Sequence, residues 1–247
     1  MTTAADNASA PTPLAPTGTL RAVINLGNAM LARRGPEGQP TGVSVDLAHA
    51  LAQQLGVPLA LHVVNTAAES VAAVRQGLAD VGFFAIDPKR SDGVAFSAPY
   101  LLIEGSYLVR ADAPQQSNDD VDRPGTRVVV GQGSAYDLYL SRTLQHATLE
   151  RAPSTPAVVE QFLASGADVA AGIRQPLLAE AQRRGGLRVL PGRFMVIEQA
   201  MGCPAAYGDE ARAILAAFVE HAKASGLVGQ LLARHGVEGA SVAPAAG

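Results

Sequence analysis

The fold of this chain is decided by two stretches of similar design, GFFAIDPKR at residues 82–90 and VVVGQGSAY at residues 128–136. In each stretch, an apolar run typical of a buried strand leads into a polar turn. The first turn presents Arg90. The second opens a helix at Ser134, where backbone N–H groups that are free of helical partners attract an anion. Together the two stretches predict two surfaces that face a small anion.

The composition excludes several classes of function. The 247 residues carry a formal net charge of −3, and no run of Lys or Arg is longer than two, so a nucleic-acid or anionic-membrane surface is not indicated. A single cysteine, Cys203, allows no internal disulfide, and the five histidines show no metal-ligand spacing. No apolar stretch approaches the roughly 20 residues that span a bilayer. We therefore predict no cofactor, no metal and no membrane span.

The first half of the chain alternates between strands and helices. Strands are predicted at residues 20–26, 59–64 and 80–85. Ser44 is predicted to cap one intervening helix, and Thr66 opens the other with a capping box. This alternation implies a parallel sheet with right-handed crossovers.

A polar segment at residues 111–126 interrupts this pattern, which then restarts. The second set of strands is predicted at residues 127–131, 149–152 and 168–172. Long apolar strands at roughly 100–110 and 194–202 flank this second unit. Two strands that enter and leave a middle segment are what a two-strand hinge requires.

These patterns predict an α/β fold in which two βαβ lobes are joined by a two-strand hinge. We expect a disordered lead over residues 1–17 and a disordered tail over 237–247. Lobe 1 is expected to combine residues 18–109 with 203–236, and lobe 2 to span 110–202. In such folds ligands bind at the carboxyl ends of the strands, which places the expected cleft between the lobes.

Four motifs occur in order along the chain: TGVSVDL at 41–47, GLADV at 77–81, PKR leading to FSAPY over 88–100, and GQGS at 131–134. In this order and spacing they resemble the bacterial solute-binding proteins of family 3, the polar amino-acid-binding class of ABC transporters. The resemblance covers residues 20–236. It implies the type II periplasmic-binding-protein fold, with a ligand cleft that closes by hinge motion.

The resemblance also implies a function and its partners. We expect a monomeric solute-binding protein that holds a small carboxylate-bearing solute (amino-acid-like, a keto acid or a dicarboxylate) and delivers it to ABC permease subunits. This family implies a periplasmic location. Residues 1–17 show no signal-peptide pattern, which leaves the cytoplasm as the alternative.

The anion-binding residues follow from the same resemblance. The family's arginine at the position of Arg90 clamps the ligand carboxylate, a role that suits a planar guanidinium. Gly133, Ser134 and Ala135 are expected to supply donors from the second lobe. The alternatives are a solvated surface arginine, and a Ser134 that only caps its own helix.

Three positions depart from the family pattern. Ala85 can offer only backbone atoms to a ligand. Asp87 either pairs with Arg90, receives a cationic or hydroxyl group of the ligand, or is a turn residue before Pro88. Arg174 stands where amino-acid binders carry an acidic residue for the α-ammonium group. It therefore argues for a ligand with a second negative group or a neutral polar one, unless it is an ordinary residue at the start of a helix.

Four further polar residues end or interrupt predicted strands. Asn25 and Asn28 suit a neutral polar group of the ligand, or form a turn. Glu104 and Glu198 lie in the two hinge strands. Each is paired at the cleft floor, acts as a proton acceptor of raised pKa, or faces solvent.

A dehydratase-, lyase- or hydrolase-like enzyme on the same scaffold would use Glu104, Glu198 or Asp87 as acid and base. A cytoplasmic metabolite sensor is a third reading. The binding protein is the first choice, without catalytic residues.

Overall fold

The structure, a computed structural model, describes residues 10–247. Within this range the chain forms twelve β-strands, β1–β12, and seven α-helices, α1–α7, joined by loops and short 3-10 turns. Every helix in the described range is too short or too polar to traverse a bilayer.

Lobe 1 is built on parallel strands, as the alternating pattern predicted. Strand β1 (Leu20–Asn25) pairs in parallel with β4 (Leu59–Val64), and a parallel bridge from Ala22 to Val81 leads into β5 (Gly82–Ala85). The strands are connected by helices α1 (Val43–Leu55) and α2 (Ala67–Arg75). A small hairpin before α1 consists of β2 (Arg33–Arg34) and β3 (Pro40–Thr41).

The two helices of lobe 1 begin differently. Helix α2 begins with the predicted capping box, in which the Thr66 hydroxyl accepts a hydrogen bond from the Glu69 N–H and the Glu69 carboxylate accepts one from the Thr66 N–H. Helix α1 is capped by Gly42 and not by Ser44. Gly42 has a φ of 131°, and an added Cβ there would overlap the Leu31 carbonyl, so glycine is required at this position. Ser44 therefore lies inside the first turn of α1.

Lobe 2 repeats the design of lobe 1. Strand β7 (Arg127–Gly131) lies between β8 (Thr148–Ala152) and β9 (Val169–Ile173), and all three are parallel. The helices that cover this sheet are α3 (Ala135–Thr143), α4 (Val158–Ser165) and α5 (Arg174–Arg184).

The lobes are joined by two long antiparallel strands. Strand β6 (Val94–Arg110) pairs with β11 (Met195–Pro204) as far as Gly105, and from Gly105 onward it pairs with β9 of lobe 2. A short strand, β10 (Leu187–Val189), pairs with the end of β6. The predicted α/β fold with two lobes and a two-strand hinge is confirmed. The lobe boundaries stay a prediction, because β6 and β11 each run through the junction.

The C-terminal part returns to lobe 1. Helix α6 (Gly208–Ala224) packs on β6 and β11, and α7 (Leu227–Arg234) packs on α1. The tail predicted to be disordered over 237–247 instead contains β12 (Ala240–Val242), which is antiparallel to β6 at residues 101–103. Strand β11 occupies one edge of β6, and β9 pairs with the other edge only from Gly105 onward. Strand β12 therefore supplies hydrogen-bond partners to backbone groups of β6 that β9 does not reach.

The start of the described chain is also ordered. Residues 1–9 lie outside the described residues. Within the predicted disordered lead, however, Thr12 and Ala15 exchange backbone hydrogen bonds, and Leu14 and Ala15 are fully buried. The apolar side chain of Leu14 therefore contributes to the core, which the Ala, Thr and Pro composition of this segment did not reveal.

An arginine and an aspartate tie together two strands in each lobe. In lobe 1, the carboxylate of Asp80 accepts hydrogen bonds from the Arg21 N–H and guanidinium, at 2.5 to 3.1 Å. In lobe 2, Asp168 accepts the backbone N–H of Arg127 at 2.8 Å. Asp80 is fully buried and also accepts the hydroxyl of Tyr207, which precedes α6. Asp80 thus holds β1, β5 and the C-terminal return together.

Replacing Asp80 is expected to destabilise the protein strongly. Asp80→Ala removes the acceptor of Arg21 and Tyr207 in a buried site, and we expect the free energy of unfolding to fall by about 3 kcal/mol. Tyr207→Phe, which removes the bond to Asp80 and the longer bond that Arg21 donates to the same hydroxyl, should cost about 1 kcal/mol. Urea denaturation monitored by circular dichroism measures both values.

Asp92→Ala is the matched control. Asp92 also pairs with an arginine, Arg75, but its side chain is 93% exposed. Its removal should cost less than about 1 kcal/mol. Equal losses for the Asp80 and Asp92 variants would contradict a structural role for the buried network.

Candidate functional site

A cavity of about 100 Å³ lies between the two lobes. It is bordered by the carboxyl ends of all six parallel strands, three from each lobe. The residues at or just after these ends are Asn25, Asn65 and Ala85 in lobe 1, and Gln132, Pro153 and Ile173 in lobe 2. This position is the one expected for a site in a parallel α/β sheet.

Two glycines allow the loops to approach each other at the cavity. A Cβ on Gly27 would overlap the carbonyl of Asn65, and a Cβ on Gly131 would lie 2.9 Å from the backbone of Thr155. Each glycine therefore brings the end of one strand against the loop that follows its neighbour. The polar residues of both loops are thereby concentrated at the cavity wall.

Only one face of the paired hinge strands, β6 and β11, contributes side chains to the cavity wall. Ile103 and Ile197 lie directly opposite each other in the β6–β11 pair, and both line the cavity together with Gln199. Because side chains alternate along a strand, Glu104 and Glu198 point away from it. Glu198 is exposed, and Glu104 pairs with Arg193 at 2.9 Å.

Arg90 is the cation of the cavity. Its side chain is buried, and its guanidinium donates to the carbonyl of Ala85 at 3.1 Å and to the carbonyl of Gly133, in lobe 2, at 2.9 Å. An arginine has five N–H donors, so three remain for other acceptors. Burial lowers the pKa of Arg90 from its ordinary value, but an arginine remains protonated at neutral pH. Among residues 10–247 no carboxylate forms an ion pair with Arg90.

Asp87 pairs with another arginine. Its buried carboxylate accepts two hydrogen bonds from Arg142 of helix α3, at 2.8 and 3.3 Å, and one from the N–H of Lys89. Arg142 belongs to lobe 2, so this ion pair bridges the two lobes. Of the three roles considered for Asp87, pairing with Arg90 is not observed, and the residue does not line the cavity.

The first turn of α3 forms the opposite wall. The N–H of Gly133 donates to the carboxylate of Asp137, and the Ser134 hydroxyl accepts the N–H of Asp137 as a helix cap. Within the described chain, the N–H groups of Ala135 and Tyr136 have no acceptor, as is usual in a first helical turn. The donors available to an anion are therefore the N–H groups of Ala135 and Tyr136 and the O–H of Ser134, whose oxygen accepts the Asp137 N–H but whose hydrogen is free.

Neutral polar groups complete the wall. The Asn25 side chain accepts the N–H of Gly27 in a turn, whereas the buried Oδ1 of Asn28 has no hydrogen-bond partner. The Tyr136 hydroxyl donates to Thr155 at 3.4 Å, and burial raises its pKa to about 12, so it is neutral at physiological pH. These groups offer hydrogen bonds without adding charge.

Arg174 lies outside the cavity. Its guanidinium donates to the Gly192 carbonyl at 2.5 Å and lies 3.9 Å from Glu104. Arg174 therefore lies where α5 meets the hinge strands. Because it does not line the cavity, its charge does not indicate a ligand with a second negative group.

Seven of the nine residues predicted to contact a ligand meet at one cavity. They are Asn25, Asn28, Ala85, Arg90, Gly133, Ser134 and Ala135, whereas Asp87 and Arg174 lie apart. The sequence reasoning missed Asn65, Ser154 and Thr155, although the rule that sites lie after strand ends points to them. It also missed Gln199 and Ser44. Gln199 faces the cavity because of which residues of β11 point inward, and Ser44 does so because α1 begins at Val43.

The sequence matches the model of one protein family. That family is described as bacterial extracellular solute-binding proteins, family 3, and the match covers residues 23–238. No curated protein matched in the corresponding comparison.

Solved structures share the fold at low sequence identity. An amino acid ABC transporter substrate-binding protein from Streptococcus pneumoniae, bound to L-arginine, has a TM-score of 0.74 at 21% identity, covering 88% of this chain and 94% of that chain. The ancestral amino acid-binding protein AncCDT-1, a precursor of cyclohexadienyl dehydratase, has a TM-score of 0.71 at 23% identity, covering 87% and 94%. A histidine kinase sensor domain with similarity to periplasmic binding proteins has a TM-score of 0.75 at 18% identity, covering 91% and 98%.

Loss of the ion pair between the lobes is expected to destabilise the protein. Arg142→Ala leaves the Asp87 carboxylate buried with only the Lys89 N–H as a donor, so the free energy of unfolding should fall by about 2 kcal/mol. Chemical denaturation in the absence of ligand measures this loss.

Arg212→Ala serves as the comparison. Arg212 also lies on a helix and pairs with an aspartate, but the side chain of Asp209 is 98% exposed. We expect a loss below about 1 kcal/mol. If the Arg142 variant were no less stable than this control, the bridging pair would not contribute to stability.

Proposed function

The chain belongs to the bacterial extracellular solute-binding proteins of family 3, and on that premise we propose that it binds one small carboxylate-bearing solute in the cavity between its lobes. The protein acts as the substrate-binding component of an ABC-type uptake system. It works as a monomer outside the cytoplasm and hands its ligand to the permease subunits. The ligand is amino-acid-like, a keto acid or a dicarboxylate.

The state of Arg90 carries this proposal. A buried cation without a counter-ion is unfavourable unless another group compensates it. Arg90 is buried, forms no ion pair within the described chain and keeps three free donors beside a cavity. A ligand carboxylate would accept two parallel hydrogen bonds from such a guanidinium, which is a strong and orienting arrangement.

Helix α3 supports the same assignment from the other lobe. The free N–H groups of Ala135 and Tyr136 carry the partial positive charge of a helix N-terminus. An anion held by Arg90 and by these groups would contact both lobes at once. Binding would therefore favour the arrangement in which the lobes approach each other.

We expect the lobes to close on the ligand because it contacts both of them only when they are together. A ligand shifts a conformational equilibrium only by binding one state more strongly than another. Opening the lobes would separate Arg90 from the Gly133 carbonyl and Asp87 from Arg142. The hinge strands β6 and β11 would bend while their hydrogen bonds persist, as in hinge closure generally.

Two of the structures that share this fold are named as amino-acid-binding proteins. One of them is bound to L-arginine, and another is an ancestral amino acid-binding protein. At these identities the likeness supports the shape of the fold, and the ligand of this chain is inferred from its own residues.

The enzyme alternative finds less support. Asp87, Glu104 and Glu198 would have supplied the acid and base, but Asp87 is paired with Arg142, Glu104 with Arg193, and Glu198 is exposed. None of the three lines the cavity. Following each bound ligand by NMR for an hour distinguishes the two functions, since an enzyme consumes it.

Arg90→Ala is expected to weaken binding of any carboxylate ligand by at least about 100-fold, because the charged partner of the carboxylate is lost. Arg90→Lys keeps the charge but loses the planar pair of donors, so we expect an intermediate loss. Titration calorimetry with ligands first found by thermal shift gives these affinities.

Arg123→Ala is the matched control. Arg123 is an exposed arginine of lobe 2 that does not line the cavity, and its removal should leave the affinity unchanged. Circular dichroism establishes that each variant is folded. A folded Arg90→Ala protein that binds the carboxylate as tightly as the unmodified protein would refute the proposed role.

A further inference from the structure

We propose that the cavity selects a small monocarboxylate whose second polar group is uncharged, such as a 2-hydroxy or 2-oxo acid, over the α-amino acid of the same carbon skeleton. This inference rests on the proposed function, because it assumes that the carboxylate binds at Arg90. It goes further by assigning the chemistry of the rest of the ligand.

The first argument is the charge of the cavity wall. Arg90 is the one charged residue among those that line the cavity, all of which lie in the described range 10–247. The acidic groups on neighbouring elements are already engaged. Asp87 pairs with Arg142, Asp137 with Arg151 and the Gly133 N–H, and Glu69 accepts the N–H groups of Asn65 and Thr66.

An α-amino acid would bring a second positive charge into this wall. Its ammonium group lies on the carbon next to the carboxylate, and therefore near the guanidinium that binds the carboxylate. Two like charges at such a distance repel each other strongly in a partly buried site, where water screens poorly. Without a carboxylate on the wall, the ammonium would lose hydration and gain no ion pair.

The second argument is the kind of polar groups present. The wall carries side-chain amides and hydroxyls, which donate and accept hydrogen bonds without charge. The Oδ1 of Asn28 is buried without a partner in the described chain, whereas a buried acceptor of this kind normally has a hydrogen-bond partner. A ligand hydroxyl would satisfy it, and with the amide rotated its NH₂ group would donate to a keto oxygen.

The third argument concerns the remaining surface. Leu31, Phe83, Ile103, Ile173 and Ile197 give the wall an apolar part that suits a short aliphatic chain. A second carboxylate would face this surface without a second cation, because Arg142 and Arg174 are paired elsewhere. The ligand is therefore a monocarboxylate.

A matched series of ligands tests the inference on the unmodified protein. The series compares L-alanine, pyruvate and L-lactate, and then L-valine with its 2-oxo and 2-hydroxy analogues. Succinate and L-arginine represent a dicarboxylate and a cationic amino acid, and lactamide lacks the carboxylate. Titration calorimetry at millimolar ligand gives each affinity. We expect the 2-oxo or 2-hydroxy acid to bind at least about 10-fold more tightly than the matching amino acid.

The outcomes separate the two claims. An amino acid or succinate that binds as tightly as the best 2-oxo or 2-hydroxy acid overturns this inference and leaves the proposed function in place. If no carboxylate binds, or if lactamide binds as well as lactate, both fail. The expected order of affinities supports both.

A change of preference provides an independent test. Asn28→Asp adds a carboxylate to the wall with almost no change in size. We expect it to weaken binding of the 2-hydroxy acid and strengthen binding of the amino acid, so that the ratio of the two affinities shifts by at least about 10-fold. Gln53→Glu, on an exposed position of α1, adds the same charge away from the cavity and should leave the ratio unchanged. An unchanged ratio in a folded Asn28→Asp protein would overturn the inference.

Discussion

The antiparallel pairing of β6 with β11 is the constraint on which the rest of the structure depends. These two strands carry the chain from lobe 1 to lobe 2 and back, and their shared register decides which residues face the cavity. Because Ile103 and Ile197 are opposite each other on the inner face, Glu104 and Glu198 must lie on the outer face. The pairing thus gives this part of the cavity a neutral, largely apolar wall.

The two lobes place one positive charge, Arg90, at this wall, and it forms no ion pair within the described chain. Arg90 is held by the Ala85 carbonyl of its own lobe and by the Gly133 carbonyl of the other, and both contacts leave its charge in place. The buried acid three residues before it, Asp87, is instead paired with Arg142. If Asp87 had paired with Arg90, that ion pair would have occupied the arginine that faces the cavity. Two arginines instead serve two separate roles. One arginine joins the lobes, and the other remains available for an anion.

The fold could be predicted from the sequence because it depends on local signals. Alternating apolar and helical periods, the Thr66 capping box and the glycine-rich turn at residues 131–134 each report structure within a few residues. The site was predicted only in part. The partner of Asp87 lies 55 positions away along the chain, and the phase of β11 distinguishes Gln199 from Glu198 by a single residue. The pairing of β12 with β6 likewise depends on an edge that exists only in the folded sheet.

The position of Tyr207 has a consequence for how the protein is made. Its hydroxyl bonds Asp80 across 127 residues of sequence, with all of lobe 2 between them. On the ribosome, lobe 2 is therefore complete before α6 emerges to cover the apolar side of β6. Throughout that interval the first lobe presents uncovered core residues. The nascent chain is thus most prone to aggregation after its first half has been translated.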